Sequence, residues 1–494
     1  MRQLAAILSL IFYTAFTPNF GKAYADPTAV APATCGSGSS PENGVQGEVP
    51  LADRQSGRSQ QGYRCNLVLV GQYQGMGASW VNPVYDKCAY LSAAFPSDLT
   101  TATPGVSVVD VSNPSNPVRS AVLASPAMAG GTWESLKVNP TRKMLAAVAG
   151  GPLVGVAFFD VYDLSHDCRS PQLLNGLLGT PLTLPANVLG HEGGWSPDGK
   201  TYWGAGLVGG ILTAIDVSVP AIPHIVFTGS TGFTNHGFSL SADGNRMYMS
   251  TAVPAGVQIL DTSDVQSRKL FPALRTISQI TWTDGFTTQQ TLPLSYGGHP
   301  YIVAVDEADS GGVRFIDIAN EATPTIVSSI RLAINLPNAL ALRQADAAGN
   351  GLFDYESHYC SVDNPQNPTA LACGWFQSGI RVFDIRNPLA PKEIAYFNPP
   401  AQVGKAALLL NSEHANGLTG RLPAVFTGSQ NNFNVDLGTL SEETTSILSY
   451  GTAPTMTADW CSSPPSFVGS QLWVACQDNG FMVLQFTNNA YPLQ

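Results

Sequence analysis

Apolar residues fall along this chain in short runs of about five, closed at both ends by Gly, Pro, Asn, Asp or Ser. That spacing predicts strands and turns, because helices would show apolar positions recurring every three or four residues over longer stretches. One pattern recurs: Gly, a mostly apolar stretch, then Asp. It reads GVSVVD at 105–110, GVAFFD at 155–160, GVQILD at 256–261, GVRFID at 312–317 and GIRVFD at 379–384. ILTAID at 211–216 has Ile in place of Gly, and GFMVLQ at 480–485 ends on Gln485 in place of Asp. The aspartates Asp110, Asp160, Asp216, Asp261, Asp317 and Asp384 lie 45 to 67 residues apart, the length of a four-stranded propeller blade with variable loops. Around each copy stand turn signals such as Ser196-Pro-Asp-Gly199 before it and Asn113-Pro-Ser-Asn-Pro117 after it. Each unit therefore reads as strands A, B, C and D, with C carrying the repeat.

The ends of the chain suggest how the units close. The run from Asn66 to Gly71 looks like a D strand with no A, B or C before it, and the last copy is a C strand with no D after it. Joining them completes one blade and removes exposed edges. The expected fold is an all-β, seven-bladed β-propeller of four-stranded blades, closed by an N-terminal strand that completes the last blade. An open stack of sheets is the alternative. The expected organisation is a signal peptide over 1–25, a flexible Pro/Gly/Ser-rich leader over 26–64, the propeller over 65–488 and a tail over 489–494. Residues 402–457 contain no copy of the repeat and are read as an insertion in place of an eighth blade.

The segments GVSVVDVSNPSNP (105–117), GVRFIDIANEATP (312–324) and GIRVFDIRNPLAP (379–391) resemble the LVIVD-repeat family of secreted bacterial propeller proteins. The resemblance covers about residues 65–488. It implies the repeat and the fold, and it offers no catalytic residues.

Composition narrows the partners. Only 12% of the 494 residues are charged, against 44% hydrophobic, with 48 Gly and 36 Pro. Disorder, collagen and coiled coil are excluded by these figures. A net charge of -11 argues against a nucleic-acid partner, which needs cations to replace phosphate counterions. Arg2, the apolar stretch Leu4–Phe12 and Ala23-Tyr24-Ala25 stand in the order of a cleaved secretory signal. No other apolar run is long enough for a membrane span. The expected location is thus periplasmic or secreted, where the eight cysteines can form disulfides. Cys360/Cys373 and Cys461/Cys476 recur at similar places in two repeats, and no zinc-ribbon spacing occurs.

Strand A lines a propeller's channel, so aligning the A–B turns asks which residue each blade sends to the axis. Blades 2, 3 and 4 offer Glu134, His191 and His236, each nine residues ahead of its turn position. Blade 5 offers Gln290, blade 6 offers Glu356 and His358, blade 7 offers Asp459, and blade 1 offers Trp80. Glu134, His191, His236 and His358 are the predicted catalytic and metal-ligating set, with Glu192, Gln290, Glu356 and Asp459 around it. Imidazole and carboxylate suit one transition-metal ion, iron, copper or zinc. A metal-free acid/base or ligand site, and histidines with a structural role, remain open readings. His299 falls in a turn, His166 and His224 look peripheral, and His414 lies in the insertion. Asp306-Glu307 could bind calcium, though two acids before a turn are more often solvated.

The chain has neither a nucleophile elbow, nor a P-loop, nor a dinucleotide fingerprint in a strand-to-helix setting, so no nucleotide cofactor is expected. The leading functional reading is an exported enzyme, a metal-dependent oxidoreductase or lyase, acting on a small organic molecule at the channel mouth. The alternative is a non-catalytic binding module that presents loops to a protein or envelope partner.

Overall fold

The computed structural model describes residues 28–93, 104–149, 157–176, 179–182, 191–206, 208–308, 312–347, 353–402, 409, 411–412 and 458–493. The expected signal peptide, His414 and nearly all of the expected insertion lie outside these residues.

Seven antiparallel sheets follow one another around a ring, each in the order A-B-C-D. Blade 1 is Val84–Tyr85, Cys88–Leu91, Val106–Asp110 and Val118–Leu123. Blade 2 is Lys137–Asn139, Met144–Ala149, Ala157–Asp163 and Gln172–Leu173, with Thr180–Leu182 also on the third strand. Blade 3 is Glu192–Trp195, Thr201–Ala205, Ile211–Asp216 and His224–Ser230. Blade 4 is Thr234–Leu240, Arg246–Val253, Gly256–Asp261 and Arg275–Thr281. Blade 5 is Phe286–Tyr296, His299–Ala308, Gly312–Asp317 and Thr325–Ile330. Blade 6 is Cys360–Val362, Ala370–Gly374, Ile380–Asp384 and Lys392–Asn398. Blade 7 is Ser466–Val468, Gln471–Cys476, Gly480–Phe486 and, from the other end of the chain, Leu67–Tyr73. The N-terminal strand thus completes the last blade, and the ring closes without a bare edge there.

The described part of each copy lies in or directly before a C strand, and the aspartates have specific tasks. The carboxylates of Asp110, Asp216, Asp261, Asp317 and Asp384 each accept the backbone N–H two residues ahead. That closes the turn into strand D. In blade 2 this residue is Asp163, which pairs across from Met144 and accepts from Ser165 N at 2.9 Å. Asp160, the aspartate expected there, is buried and accepts from Ala127 N at 2.7 Å. Both aspartates follow an apolar pair, so the motif alone could not choose between them; the turn partner does.

Val, Ile, Leu and Ala of strands B and C form apolar clusters between neighbouring blades. Charge is scarce in the chain because these strands are covered on both faces.

Of the segment 26–64 expected as a flexible leader, residues 28–64 are instead packed against blades 5 and 6. They carry a helix at Leu51–Ser56 and a strand at Tyr63–Cys65 that adds a fifth strand beside Lys392–Asn398. Buried Arg381 bonds Glu42 at 2.6 Å and Glu393 at 3.1 Å. Pro and Gly spacing conceals this, because side-chain pairing and a disulfide hold the segment, not backbone periodicity. The disulfides are Cys35–Cys65, Cys88–Cys168, Cys360–Cys373 and Cys461–Cys476. Four of them fit an extracytoplasmic protein. Among the described residues, no helix is long and apolar enough to cross a membrane.

Candidate metal centre in the central channel

A strands crowd together at the axis, so their first residues, and the last residues of the adjoining B strands, share one end of the channel. Glu134 enters there because Trp133 adopts a left-handed backbone (φ 46°), a conformation that costs energy for a bulky residue. The Glu134 N–H then donates to the His191 carbonyl at 3.2 Å. His236 sits where the pairing of the first two strands of blade 4 shifts register, between Asn235 and Phe238. A bulge of this kind re-aims a side chain. The next residue is glycine because a Cβ on Gly237 would collide with the Gln289 carbonyl of blade 5. His358 is anchored by its N–H to the Gly374 carbonyl at 3.0 Å. Glu307 arrives near the end of the second strand of blade 5.

The Glu134 carboxylate is the hub. Its Oε2 lies 3.0 Å from His191 Nε2 and 3.7 Å from His236 Nδ1. Its Oε1 lies 3.1 Å from His358 Nε2. Glu307 faces two of the same rings, with Oε2 at 3.3 Å from His236 Nε2 and Oε1 at 3.5 Å from His358 Nε2. The His191 and His236 rings meet edge-on at 4.7 Å between centroids. The set is deeply buried; His191, at 16% side-chain exposure, is its most open member.

Burial alone would neutralise these groups. Instead it is outweighed. Burial raises the pKa of Glu134, but His191 and the other imidazoles hold it well below the usual carboxylate range. Glu307 is pulled down to about 2, its burial overcome chiefly by His236. Burial lowers the pKa of His236, yet Glu307 holds it above the ordinary value. His358, likewise desolvated, is pushed up to about 10 by Glu134 and Glu307.

Metal-ligating atoms of Glu134, His191 and His236 all lie within 4.8 Å of one another. Three buried atoms facing the centre, Glu134 Oε2, His236 Nδ1 and His358 Nε2, have only the cluster's own side chains as partners and make no well-aligned hydrogen bond. Buried polar atoms are rarely left so. Donors on a tetrahedral ion with bonds of about 2.0–2.1 Å stand about 3.3 Å apart, close to the 3.0 and 3.7 Å that separate Glu134 Oε2 from the two imidazole nitrogens. The residues therefore fit a transition-metal ion. His358 Nδ1 lies 2.8 Å from the Ser462 carbonyl, which assigns the proton to Nδ1 and aims Nε2 at the centre.

Around the centre, Glu192 pairs with Lys137 Nζ at 2.8 Å and accepts from the Tyr359 hydroxyl. Trp133 lies against His191 (5.3 Å) and Trp80 against His358 (5.0 Å). Phe353 and Phe376 stack at 4.5 Å, and Phe376 lies 5.1 Å from His358.

All four residues predicted at the heart of the site thus converge, and Glu192 lies beside them. The other three expected neighbours are engaged elsewhere. Gln290 Oε1 accepts from Cys360 N at 2.8 Å, because the register shift between Thr288 and Gln290 turns it toward blade 6. Asp459 accepts from Asn479 N at 2.9 Å and fastens a turn of blade 7. Glu356 accepts from Asp354 N at 2.7 Å, and burial beside Asp354 raises its pKa well above the usual range. Glu307 is the residue that alignment on A strands passed over. Its signal was the VDEADSGG stretch, whose two acids are largely buried rather than solvated. Asp306 is buried against Arg314, and Glu307 faces histidines. His299 is half exposed beside Asp317 at 2.8 Å, and His166 is exposed.

The ring of seven four-stranded blades defines the protein as a β-propeller. The family model of the LVIVD repeat matches residues 103–121, so the chain carries that repeat along the third strand of blade 1, the turn after it and the start of the fourth strand. No curated protein matches the chain. Similar solved structures include hydrazine synthase of Kuenenia stuttgartiensis, at 14% identity over 84% of this chain and 96% of that one, with a TM-score of 0.46. They also include the periplasmic gluconolactonase of Pseudomonas aeruginosa, at 13% identity over 63% of this chain and 82% of that one, TM-score 0.46. A putative 6-phosphogluconolactonase of Bacteroides fragilis matches at 10% identity over 63% and 81%, TM-score 0.46. Similarity at this level carries no inference about activity.

Proposed function

We propose that this protein is an exported β-propeller enzyme that acts on a small organic molecule at the channel mouth, with a transition-metal ion held by Glu134, His191 and His236. The observation that supports it most is the convergence of one buried carboxylate and three imidazoles, with Glu134 Oε2, His236 Nδ1 and His358 Nε2 facing one another without a well-aligned hydrogen bond. A bound ion with an open position would supply Lewis-acid or redox chemistry.

The chain's own residues have distinct tasks in this reading. Glu134 supplies negative charge and holds the three rings in register. Glu307 accepts from His236 Nε2 and so fixes which nitrogen of that ring faces the centre. His358, steadied by the Ser462 carbonyl, turns Nε2 toward the centre. Trp133 and Phe353, both partly buried beside the centre, provide an apolar wall that favours a hydrophobic or aromatic substrate and limits water.

Elemental analysis of protein purified from the exported fraction tests the reading. At least one equivalent of iron, copper or zinc is expected, falling sharply in His236→Asn. A sub-stoichiometric content that His236→Asn leaves unchanged would overturn it.

A further inference from the structure

The two oxygens of Glu134 face different partners, and this asymmetry carries a second site. Oε2 looks toward His191 Nε2 (3.0 Å) and His236 Nδ1 (3.7 Å). Oε1 looks toward His358 Nε2 (3.1 Å), which in turn lies 3.5 Å from Glu307 Oε1. We infer that the centre holds two divalent transition-metal ions bridged by Glu134: one on Glu134, His191 and His236, the other on Glu134, His358 and Glu307. The inference rests on the metal-centre reading above and extends it.

Geometry supports the second set. His358 Nε2 is fully buried, faces only the two carboxylates without a well-aligned hydrogen bond, and belongs to a ring held in place by the carbonyl on Nδ1. The separations of 3.1 and 3.5 Å bracket the spacing of about 3.3 Å between donors on one ion. One divalent ion would balance the two carboxylates, so the second would leave a positive excess, offset when hydroxide or an anionic oxygen of a substrate binds. Glu307 serves both halves, with Oε1 toward the second ion and Oε2 receiving the N–H of the first ion's ligand His236. Paired ions in such sites sit about 3.5–4 Å apart and clamp an oxygen between them. The substrate class that fits is therefore a small molecule presenting an oxygen anion or a carbonyl beside an apolar body.

The test is metal stoichiometry on the full-length exported protein. It should be stripped with chelator, reloaded with Mn2+ and read by elemental analysis and by electron paramagnetic resonance. Two ions per chain are expected, with the exchange-coupled spectrum of a bridged pair. His358→Gln should bind one ion and show an uncoupled spectrum, and His191→Gln should do the same from the other side. One ion per chain in the wild-type protein, with no coupling, overturns the second site and leaves the first standing. No bound ion overturns the reading on which both rest. The wild-type stoichiometry and spectrum decide the matter even if a variant fails to fold.

Discussion

Asp306 and Glu307 are neighbours on one strand, yet they meet opposite surroundings. Alternation along a strand sends successive side chains to opposite faces. Asp306 points into the blade, where Arg314 Nη1 binds it and the Trp282 indole and Thr288 hydroxyl donate to it. Arg314 also reaches Asp284 at 2.8 Å. Burial disfavours its charge, but Asp306 and Asp284 raise its pKa above the ordinary value. Glu307 points into the channel and meets imidazoles. A guanidinium keeps its proton at any working pH, so the first pair is a fixed strut. An imidazole can give up its proton and offer the lone pair to a metal. The same residue class, one position apart, is structural in one case and exchangeable in the other, and the partner decides which.

The largest expected effect breaks the strut. Asp306→Ala leaves Arg314 short of a partner and strips acceptors from Trp282 and Thr288. It should cost about 3 kcal/mol of stability, read by chemical denaturation, with metal content per folded chain unchanged. A loss below about 1 kcal/mol would mean that Asp284 alone can compensate Arg314.

Next comes the exchangeable side. His236→Asn should weaken metal binding at least as much as the 10–100-fold typical of losing an outer-shell partner. Competition with a chromogenic chelator measures it. Its effect on the stability of the metal-free protein should be smaller than that of Asp306→Ala. The reverse order would place the centre among structural networks and remove the contrast.

Tyr359→Phe asks how far the exchangeable region extends. The hydroxyl donates to Glu192, which Lys137 already neutralises. Losing it should cost about 1 kcal/mol of stability and leave metal affinity nearly unchanged in the same competition assay.

An effect confined to one pH range concerns a third kind of buried acid. Asp346 accepts the N–H of Leu51 at 2.8 Å and holds the N-terminal segment. Burial, with Glu48 nearby, pushes its pKa up to about 7 from the ordinary 3.8. The folded state therefore favours the protonated form. The resulting stability is fully present below about pH 4 and is lost as pH rises through 7. Asp346→Asn should flatten that part of the stability–pH curve. A profile identical to wild type would show that this carboxyl does not titrate with folding.

Much of this was legible without coordinates. Repeats such as GVQILD and GVRFID located the C strands, because short apolar runs between turn residues admit little else. The N-terminal run that lacked partners indicated how the ring closes. Glu134, His191, His236 and His358 could be nominated because repeat symmetry carries equivalent positions to one axis. Where symmetry breaks locally, the reading fails. The register shift in blade 5 turned Gln290 away, and the aspartate of blade 2 moved from Asp160 to Asp163. The leader's order depends on Arg381 and Glu393, more than 300 residues away, and no local pattern reports that.

What the sequence by itself determined is the architecture: strand periodicity, turn chemistry and the number of repeats are local properties repeated along the chain. Only the tertiary structure decided which carboxylates meet the histidines. Glu307 comes from a B strand and the others from the starts of A strands or the loops before them. Their meeting depends on how neighbouring blades pack at the axis, and that packing is settled by contacts between residues far apart in the chain.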